Sequence, residues 1–177
     1  MKEALVLYWS HTGNTAKVAA GIHVGLEAAG LTVTGGRMPD VEADFFTYDL
    51  VCLGFPSYNW HPPKPVDEFL RKKFAHYRRE GRVLPCAPGC AGKHALVFCT
   101  YSGPHTGIRE AVPAGKYVGQ FFEHLGFVVL DEWYVLSEFH GSEEFSTQGR
   151  MGDVRGLPSD DDLWRIEQRA ALLASRL

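Results

Sequence analysis

Ser10-His11-Thr12-Gly13-Asn14-Thr15 separates an apolar run from a segment with the periodicity of a helix, and this order of elements indicates the fold class. Residues 3–9 before it are almost entirely apolar, as in a buried strand. After it, apolar side chains recur every four positions from Val18 to Leu26, which predicts an amphipathic helix. A strand, a short polar turn and a helix are the first elements of a βαβ unit.

The same alternation continues along the chain. Near-continuous apolar runs predict five strands, at about residues 3–9, 31–36, 50–55, 94–100 and 127–136. Helical apolar stripes lie at residues 18–26, 66–77, 118–125 and 163–173. Because continuous apolar strands are typical of a parallel sheet covered on both faces, the pattern predicts an α/β, three-layer α/β/α sandwich. We expect one domain over residues 1–177, since neither a repeat nor a linker divides the chain.

Two irregular segments interrupt this pattern. Residues 80–93 are rich in Gly, Pro and Cys and precede the fourth strand, and residues 137–158 form a long loop before the C-terminal helix. Loops of this length are usually functional or bind a partner. The alternative is a tolerated surface insertion. The later segment could cover a ligand, dock a partner or join two copies of the chain.

Composition excludes several classes of protein. The chain has 18 Lys and Arg against 21 Asp and Glu, a net charge of −3, and no basic block of the kind that binds nucleic acid. The first apolar run is too short for a signal peptide or a membrane span. We therefore expect a cytoplasmic protein that neither inserts into a membrane nor binds nucleic acid.

The four cysteines predict reduced thiols and no metal site. Cys52 and Cys99 lie inside apolar runs, where a buried small side chain is the expected role. Cys86 and Cys90 do not have the Cys-x2-Cys spacing of redox and zinc motifs, and no second pair completes a site. A thiol switch at these two positions is the less favoured alternative.

The loop at residues 10–15 has the composition of an anion site. Ligands of open parallel sheets bind beyond the carboxyl ends of the strands, and a helix N-terminus there offers backbone N–H groups. The loop has neither the lysine of a phosphate-binding P-loop nor the Gly-x-Gly-x-x-Gly of dinucleotide folds. This combination predicts a monophosphate held by neutral donors. A purely structural helix cap is the alternative.

Two further loops follow the third and fourth strands at the same end of the sheet. They contribute aromatic and small residues: Pro56, Ser57, Tyr58, Asn59 and Trp60 in the second loop, and Thr100, Tyr101, Ser102, Gly103, His105 and Gly107 in the third. Aromatic side chains can stack on a planar ring, and backbone N–H groups of small residues can bind its polar edge. Three loops at one edge therefore describe a site for a mononucleotide with a large flat base.

With these motifs in place, the chain resembles the flavodoxin family. The resemblance rests on Ser10-x-Thr12-Gly13-x-Thr15, on residues 49–56 leading into an aromatic loop, and on Thr100-Tyr101-Ser102-Gly103. It covers about 140 residues and implies a five-stranded parallel sheet of order 2-1-3-4-5 with non-covalent FMN. It also implies that residues 10–15 bind the FMN phosphate and that residues 56–60 and 100–107 flank the isoalloxazine ring.

The resemblance assigns individual roles within these loops. Ser10, His11, Thr12, Gly13, Asn14 and Thr15 are the phosphate-binding residues, and Tyr58, Trp60 and Tyr101 are candidates for stacking on the ring. A backbone group near Asn59 would bond flavin N5, because asparagine tolerates the positive φ that such a turn requires. No protein residue is expected to be catalytic, since the flavin carries the chemistry.

Charge sets this chain apart from strongly acidic flavodoxins. The second and third loops carry His61 and His105 and lack Asp and Glu. An imidazole over the N1–C2 edge of the ring would stabilise negative charge on reduced flavin and favour two-electron chemistry. The alternative is that both histidines are ordinary solvent-facing loop residues.

Two functions follow from the resemblance. The first is an electron carrier that passes electrons between protein partners through FMN. The second is an NAD(P)H-dependent FMN or quinone reductase. A flavin-free receiver domain is disfavoured, because it needs carboxylates where this chain has Ser10-His11-Thr12.

Overall fold

The computed structural model describes all residues, 1–177. Its elements in chain order are β1 (Glu3–Tyr8), α1 (Asn14–Ala28), β2 (Thr32–Arg37), β3 (Leu50–Pro56), α2 (Lys64–Arg79), β4 (His94–Tyr101), α3 (Val112–His124), β5 (Val128–Leu136), α4 (Glu143–Thr147) and α5 (Asp160–Ala174). Short 3₁₀ helices lie at Phe45–Thr47 and Gly107–Glu110. All five predicted strands are present, each within one residue of its expected bounds. The long loop predicted at residues 137–158 contains a helix, α4, which its Gly-rich sequence did not indicate.

The five strands form one parallel sheet in the order β2-β1-β3-β4-β5. This confirms the predicted α/β fold and strand order. Since every strand runs in the same direction, the segments that follow β1, β3, β4 and β5 all leave from one edge of the sheet.

Side chains alternate between two apolar layers along the central strands. Leu5, Leu7, Val51 and Leu53 face a cluster completed by α2 and α3. Their neighbours in sequence, such as Val6 and Cys52, face a second cluster completed by α1 and α5. The sheet therefore lies between two helical layers, as the three-layer prediction requires.

The outer strands depart from the expectation of burial on both faces. No residue of β2 is buried, and Trp133 is the one buried residue of β5. Both strands are at the ends of the sheet, where helices cover them incompletely. The apolar runs at these positions predicted the strands correctly but predicted their burial wrongly.

Local sequence signals account for the ends of several helices. Pro65 and Pro113 lie in the first turns of α2 and α3, where a missing N–H has no consequence. Ser159 and Asp162 form a reciprocal capping box at the start of α5. None of the helices combines the length and apolar character needed to cross a membrane.

Candidate functional site

A cavity of about 560 Å³ lies at the carboxyl edge of the sheet. Its walls come from the segments that follow β1, β3, β4 and β5. Of the predicted site residues, Ser10, His11, Thr12, Asn14, Thr15, Pro56, Ser57, Tyr58, Asn59, Trp60, Thr100, Tyr101, Ser102, Gly103 and His105 line it. Gly13 and Gly107 do not line the cavity. Both have positive φ angles, 103° and 70°, and so contribute to the backbone turns of the first and third loops.

The first loop ends in unpaired donors at the start of α1. The N–H of Gly13 donates to Ser10 Oγ at 3.1 Å, whereas the backbone N–H groups of Thr12, Asn14 and Thr15 donate to no protein acceptor. Asn14 and Thr15 are buried. Buried N–H groups normally have a partner, and the positive end of the helix dipole lies here. This part of the cavity therefore suits an anion.

A buried hydrogen bond joins the first loop to the end of β4. Thr15 Oγ1 and Thr100 Oγ1 lie 2.8 Å apart, and both side chains are buried. The Thr15 hydroxyl is therefore occupied within the protein, while its backbone N–H remains available. Thr12, by contrast, is exposed.

The second loop is a tight turn that presents aromatic side chains at the cavity mouth. Tyr58 and His61 pair backbone to backbone around Asn59 and Trp60, whose φ angles are 49° and 64°. The positive φ predicted for Asn59 is confirmed, and Trp60 shares it at a cost of about 1–2 kcal/mol. Trp60 is 62% exposed and Tyr58 44%, so a large apolar surface meets solvent beside the cavity.

The two tyrosines of the cavity are neutral at physiological pH. Burial raises the pKa of Tyr58 and Tyr101 above the usual phenol value, with the Cys99 thiol adding to the effect at Tyr101. Both side chains therefore offer an apolar ring and a protonated hydroxyl, and neither adds negative charge to the site.

The third loop has fewer free donors than its sequence suggested. Glu110 Oε1 accepts from the backbone N–H groups of His105, at 2.8 Å, and Thr106, at 2.5 Å. The N–H groups of Ser102 and Gly103 remain without a protein acceptor. Any polar edge that binds this loop therefore meets residues 102–103.

The two loop histidines have different environments. His105 lines the cavity and packs edge-on against Phe145, with ring centroids 5.2 Å apart. His61 lies outside the lining, its ring 4.5 Å from that of Tyr117. Of the two, only His105 is placed to act on a bound ring.

The cavity has further lining residues that the sequence did not single out. They are Pro104 of the third loop, Glu110, and Ser137, Glu138, Phe139, His140, Gly141 and Phe145. The last six belong to segment 137–158, for which covering a ligand was one of three expectations, whereas Glu110 was not anticipated. We call residues 137–141 together with Phe145 the fourth wall. Residues 137–141 directly follow β5, so the rule that pointed to the other three loops could have found them as well.

The cavity contains no lysine or arginine. Its ionisable side chains other than the tyrosines are three histidines and two carboxylates, and the Glu138 carboxylate accepts from the N–H of Gly156 at 2.9 Å. Backbone N–H groups, hydroxyls and imidazoles are therefore the donors available to an anion here.

Segment 80–93 and the four cysteines contribute no residue to the lining of the cavity. Cys99 directly precedes Thr100, which does line it. Cys52 and Cys99 are buried as predicted, and burial raises the pKa of both thiols well above its usual value.

Comparison with known proteins identifies the family to which this chain belongs. The sequence model of the flavodoxin family matches residues 6–144, most of the chain. The chain belongs to the flavodoxin family. Membership indicates FMN as the cofactor of this flavodoxin-family protein, in agreement with the prediction.

Individual relatives are distant in sequence. An FMN-dependent NADH:quinone oxidoreductase 3 of Pseudomonas fluorescens (strain Pf0-1) is 26% identical over 124 residues, which span 69% of this chain and 61% of that protein. Oxidised Flavodoxin 1 of Bacillus cereus superposes with a TM-score of 0.70 at 16% identity, over 99% of both chains. The flavodoxin of Streptococcus pneumonia TIGR4 gives 0.68 at 20% identity, also over 99% of both chains. The likeness to these two structures establishes a shared fold.

Proposed function

We propose that this protein binds FMN non-covalently in the cavity and transfers electrons between protein partners. The observation that carries the proposal is the set of unpaired N–H groups at Thr12, Asn14 and Thr15, at one end of a cavity without lysine or arginine. Such donors fit a phosphate monoester, since they supply hydrogen bonds and the helix dipole without a counter-charge.

The rest of the lining fits a flat ring with one polar edge. Tyr58 and Trp60 would bind one side of the ring system, and Tyr101 would bound it from the third loop. The N–H groups of Ser102 and Gly103 would donate to the carbonyl edge. Aromatic walls with a few placed donors are the usual composition of such sites.

FMN supplies one- and two-electron redox chemistry when bound, and the protein sets its access and surroundings. Tyr58 and Tyr101 stay protonated and exclude water from the ring. The turn at Asn59–Trp60 presents backbone groups in a conformation held by two hydrogen bonds between Tyr58 and His61. His105 is the imidazole of the second and third loops that borders the cavity and can adjust the charge near the ring.

Exposure of the rim supports a carrier function. Tyr58, Trp60 and Phe139 line the cavity and are each more than a third exposed. An apolar rim around a redox site allows close approach of a partner protein, and exposed apolar patches typically mark such surfaces. A cytoplasmic location is part of the proposal, and association of two copies through segment 137–158 is an open alternative within it.

An NAD(P)H-dependent FMN or quinone reductase is the second candidate. The quinone oxidoreductase from Pseudomonas fluorescens supports it, as do the imidazoles of His11, His105 and His140 around the cavity. An imidazole N–H donated to the ring would stabilise negative charge on the reduced flavin and so favour uptake of two electrons at once.

Anaerobic reduction of the FMN-loaded protein separates the two functions. A carrier is expected to be reduced by dithionite in two resolved one-electron steps and to leave NADH and NADPH unoxidised, with or without added benzoquinone. Catalytic oxidation of either nucleotide with quinone present would replace the carrier by the reductase. Failure of the protein to bind FMN would overturn both.

A further inference from the structure

Segment 137–158 is a folded unit with its own internal bonds. The N–H of Glu138 donates to Leu157 O at 3.0 Å, and the N–H of Val154 donates to Ser146 O at 2.8 Å. The side chain of Val154 is fully buried. The segment is therefore a structured loop whose distant parts are held to one another by these hydrogen bonds.

This unit is attached to both the first and the third loops of the cavity. The side-chain amide of Asn14 donates to Glu138 O at 3.1 Å. On the other side, the N–H of Arg150 donates to Pro104 O at 2.8 Å, and Phe145 packs against His105. The segment thus joins the loop proposed to bind phosphate to the loop proposed to bind the ring.

Ser146 supports the fourth wall from behind. Its side chain is buried and does not line the cavity. Its Oγ donates to Phe139 O and accepts from Phe139 N–H, both at 3.0 Å. Phe139 does line the cavity, next to the residue whose carbonyl binds Asn14. The Ser146 hydroxyl therefore holds the backbone of Phe139, the middle residue of 137–141 in the fourth wall.

We propose that segment 137–158 retains the flavin mononucleotide and that Ser146 is the positioning residue that sets how slowly it leaves. The inference rests on the proposed function. If the Phe139 backbone is released, the wall loses its fixed surface and Asn14 loses the acceptor that orders the first loop. Both effects loosen the site around a bound ligand, so the expected change is in the dissociation rate. Ser146 also lies beyond residue 144, where the family match ends, so family resemblance does not assign it this role.

The test compares Ser146→Ala with Thr147→Ala in the full-length protein loaded with FMN. Thr147 Oγ1 donates to Glu143 O within α4, makes no hydrogen bond to the fourth wall and does not line the cavity, so its loss controls for removal of a neighbouring hydroxyl. FMN release is followed by the rise in fluorescence of free flavin after the loaded protein is diluted far below its dissociation constant for FMN. We expect dissociation about tenfold faster in Ser146→Ala, the change that a loss of roughly 1.4 kcal/mol gives. Thr147→Ala should release FMN at the wild-type rate.

Hydrogen exchange at the Phe139 amide gives a second readout, because this amide should lose protection in Ser146→Ala. Ser146→Cys keeps a similar volume and a weak donor, and it replaces the alanine variant in the test if that variant fails to fold. Its FMN release rate should lie between those of the wild-type protein and Ser146→Ala.

An unprotected Phe139 amide together with an unchanged release rate would overturn the inference while leaving FMN binding intact. Absence of FMN binding by the wild-type protein would instead overturn the proposed function.

Discussion

At the residue scale, two threonines of one loop have separate roles. Thr15 is buried and its hydroxyl bonds to Thr100 at 2.8 Å, so it joins the start of α1 to the end of β4. Thr12 is exposed, and its backbone N–H has no protein acceptor. A charge placed at Thr15 would disturb the core, whereas one placed at Thr12 acts on the anion site alone.

Replacing Thr12 by glutamate should therefore weaken FMN binding without destabilising the fold. A carboxylate beside the proposed phosphate repels it, and we expect an affinity loss of at least tenfold, about 1.4 kcal/mol. Thr12→Gln has nearly the same shape without the charge and should lose much less. The measurement is FMN quenching titration of both variants. Equal losses in the two would show that the phosphate lies elsewhere.

Sequence could identify most lining residues but not how their polar groups are used. The small residues of the third loop predicted available N–H groups, yet Glu110 folds back and accepts two of them. His61 and His105 were equivalent by position, and only the folded turn shows that His61 packs on Tyr117 instead. Which N–H groups stay free, and which histidine faces the cavity, depends on contacts formed within the folded loops, and these cannot be predicted from composition.

At the element scale, α5 illustrates a helix end defined by two side chains. Ser159 Oγ accepts from the N–H of Asp162, and the Asp162 carboxylate accepts from the N–H of Ser159 at 2.9 Å. Hydrogen bonds from Ser159 lower the pKa of Asp162 below its usual range. Since the folded pKa lies below the unfolded one, the ionised carboxylate stabilises the fold above a pH of about 4.

Asp162→Asn should lower the free energy of unfolding at pH 7 by about 0.5–1 kcal/mol. The difference from wild type should shrink as the pH falls below about 4, because protonation of Asp162 then removes the same interaction from the wild-type protein. Asp160→Asn removes a first-turn carboxylate outside the capping box, and it should lower the free energy of unfolding by less than Asp162→Asn does. Urea unfolding at pH 7 and pH 3 measures both. A difference independent of pH would contradict the assigned charge effect.

The sequence predicted an element well where a local pattern determines it, and less well where its burial or contacts depend on neighbouring elements. The central strands and the capped helix have clear signals, whereas the exposure of β2 depends on its place at the end of the sheet. The fourth wall depends on Asn14 meeting Glu138, 124 positions away in the chain. No local pattern reports a contact of that sequence separation.

At the scale of the whole molecule, the parallel sheet gathers four segments into one site. Because β1, β3, β4 and β5 share a direction, unpaired N–H groups, aromatic rings and the fourth wall meet at a single edge. The net charge of −3 is compatible with an anionic cofactor, since the proposed phosphate site uses neutral donors. The site is thus expected to recognise the phosphate of the ligand as well as its ring.

Titration of the flavin-free protein with FMN and with riboflavin measures this recognition of the phosphate. Charge-assisted hydrogen bonds from several backbone N–H groups are worth about 1.5–3 kcal/mol each. We therefore predict that FMN binds at least a hundredfold more tightly than riboflavin, a difference of about 2.7 kcal/mol or more. Equal affinity for the two flavins, or no binding of FMN, would contradict the account.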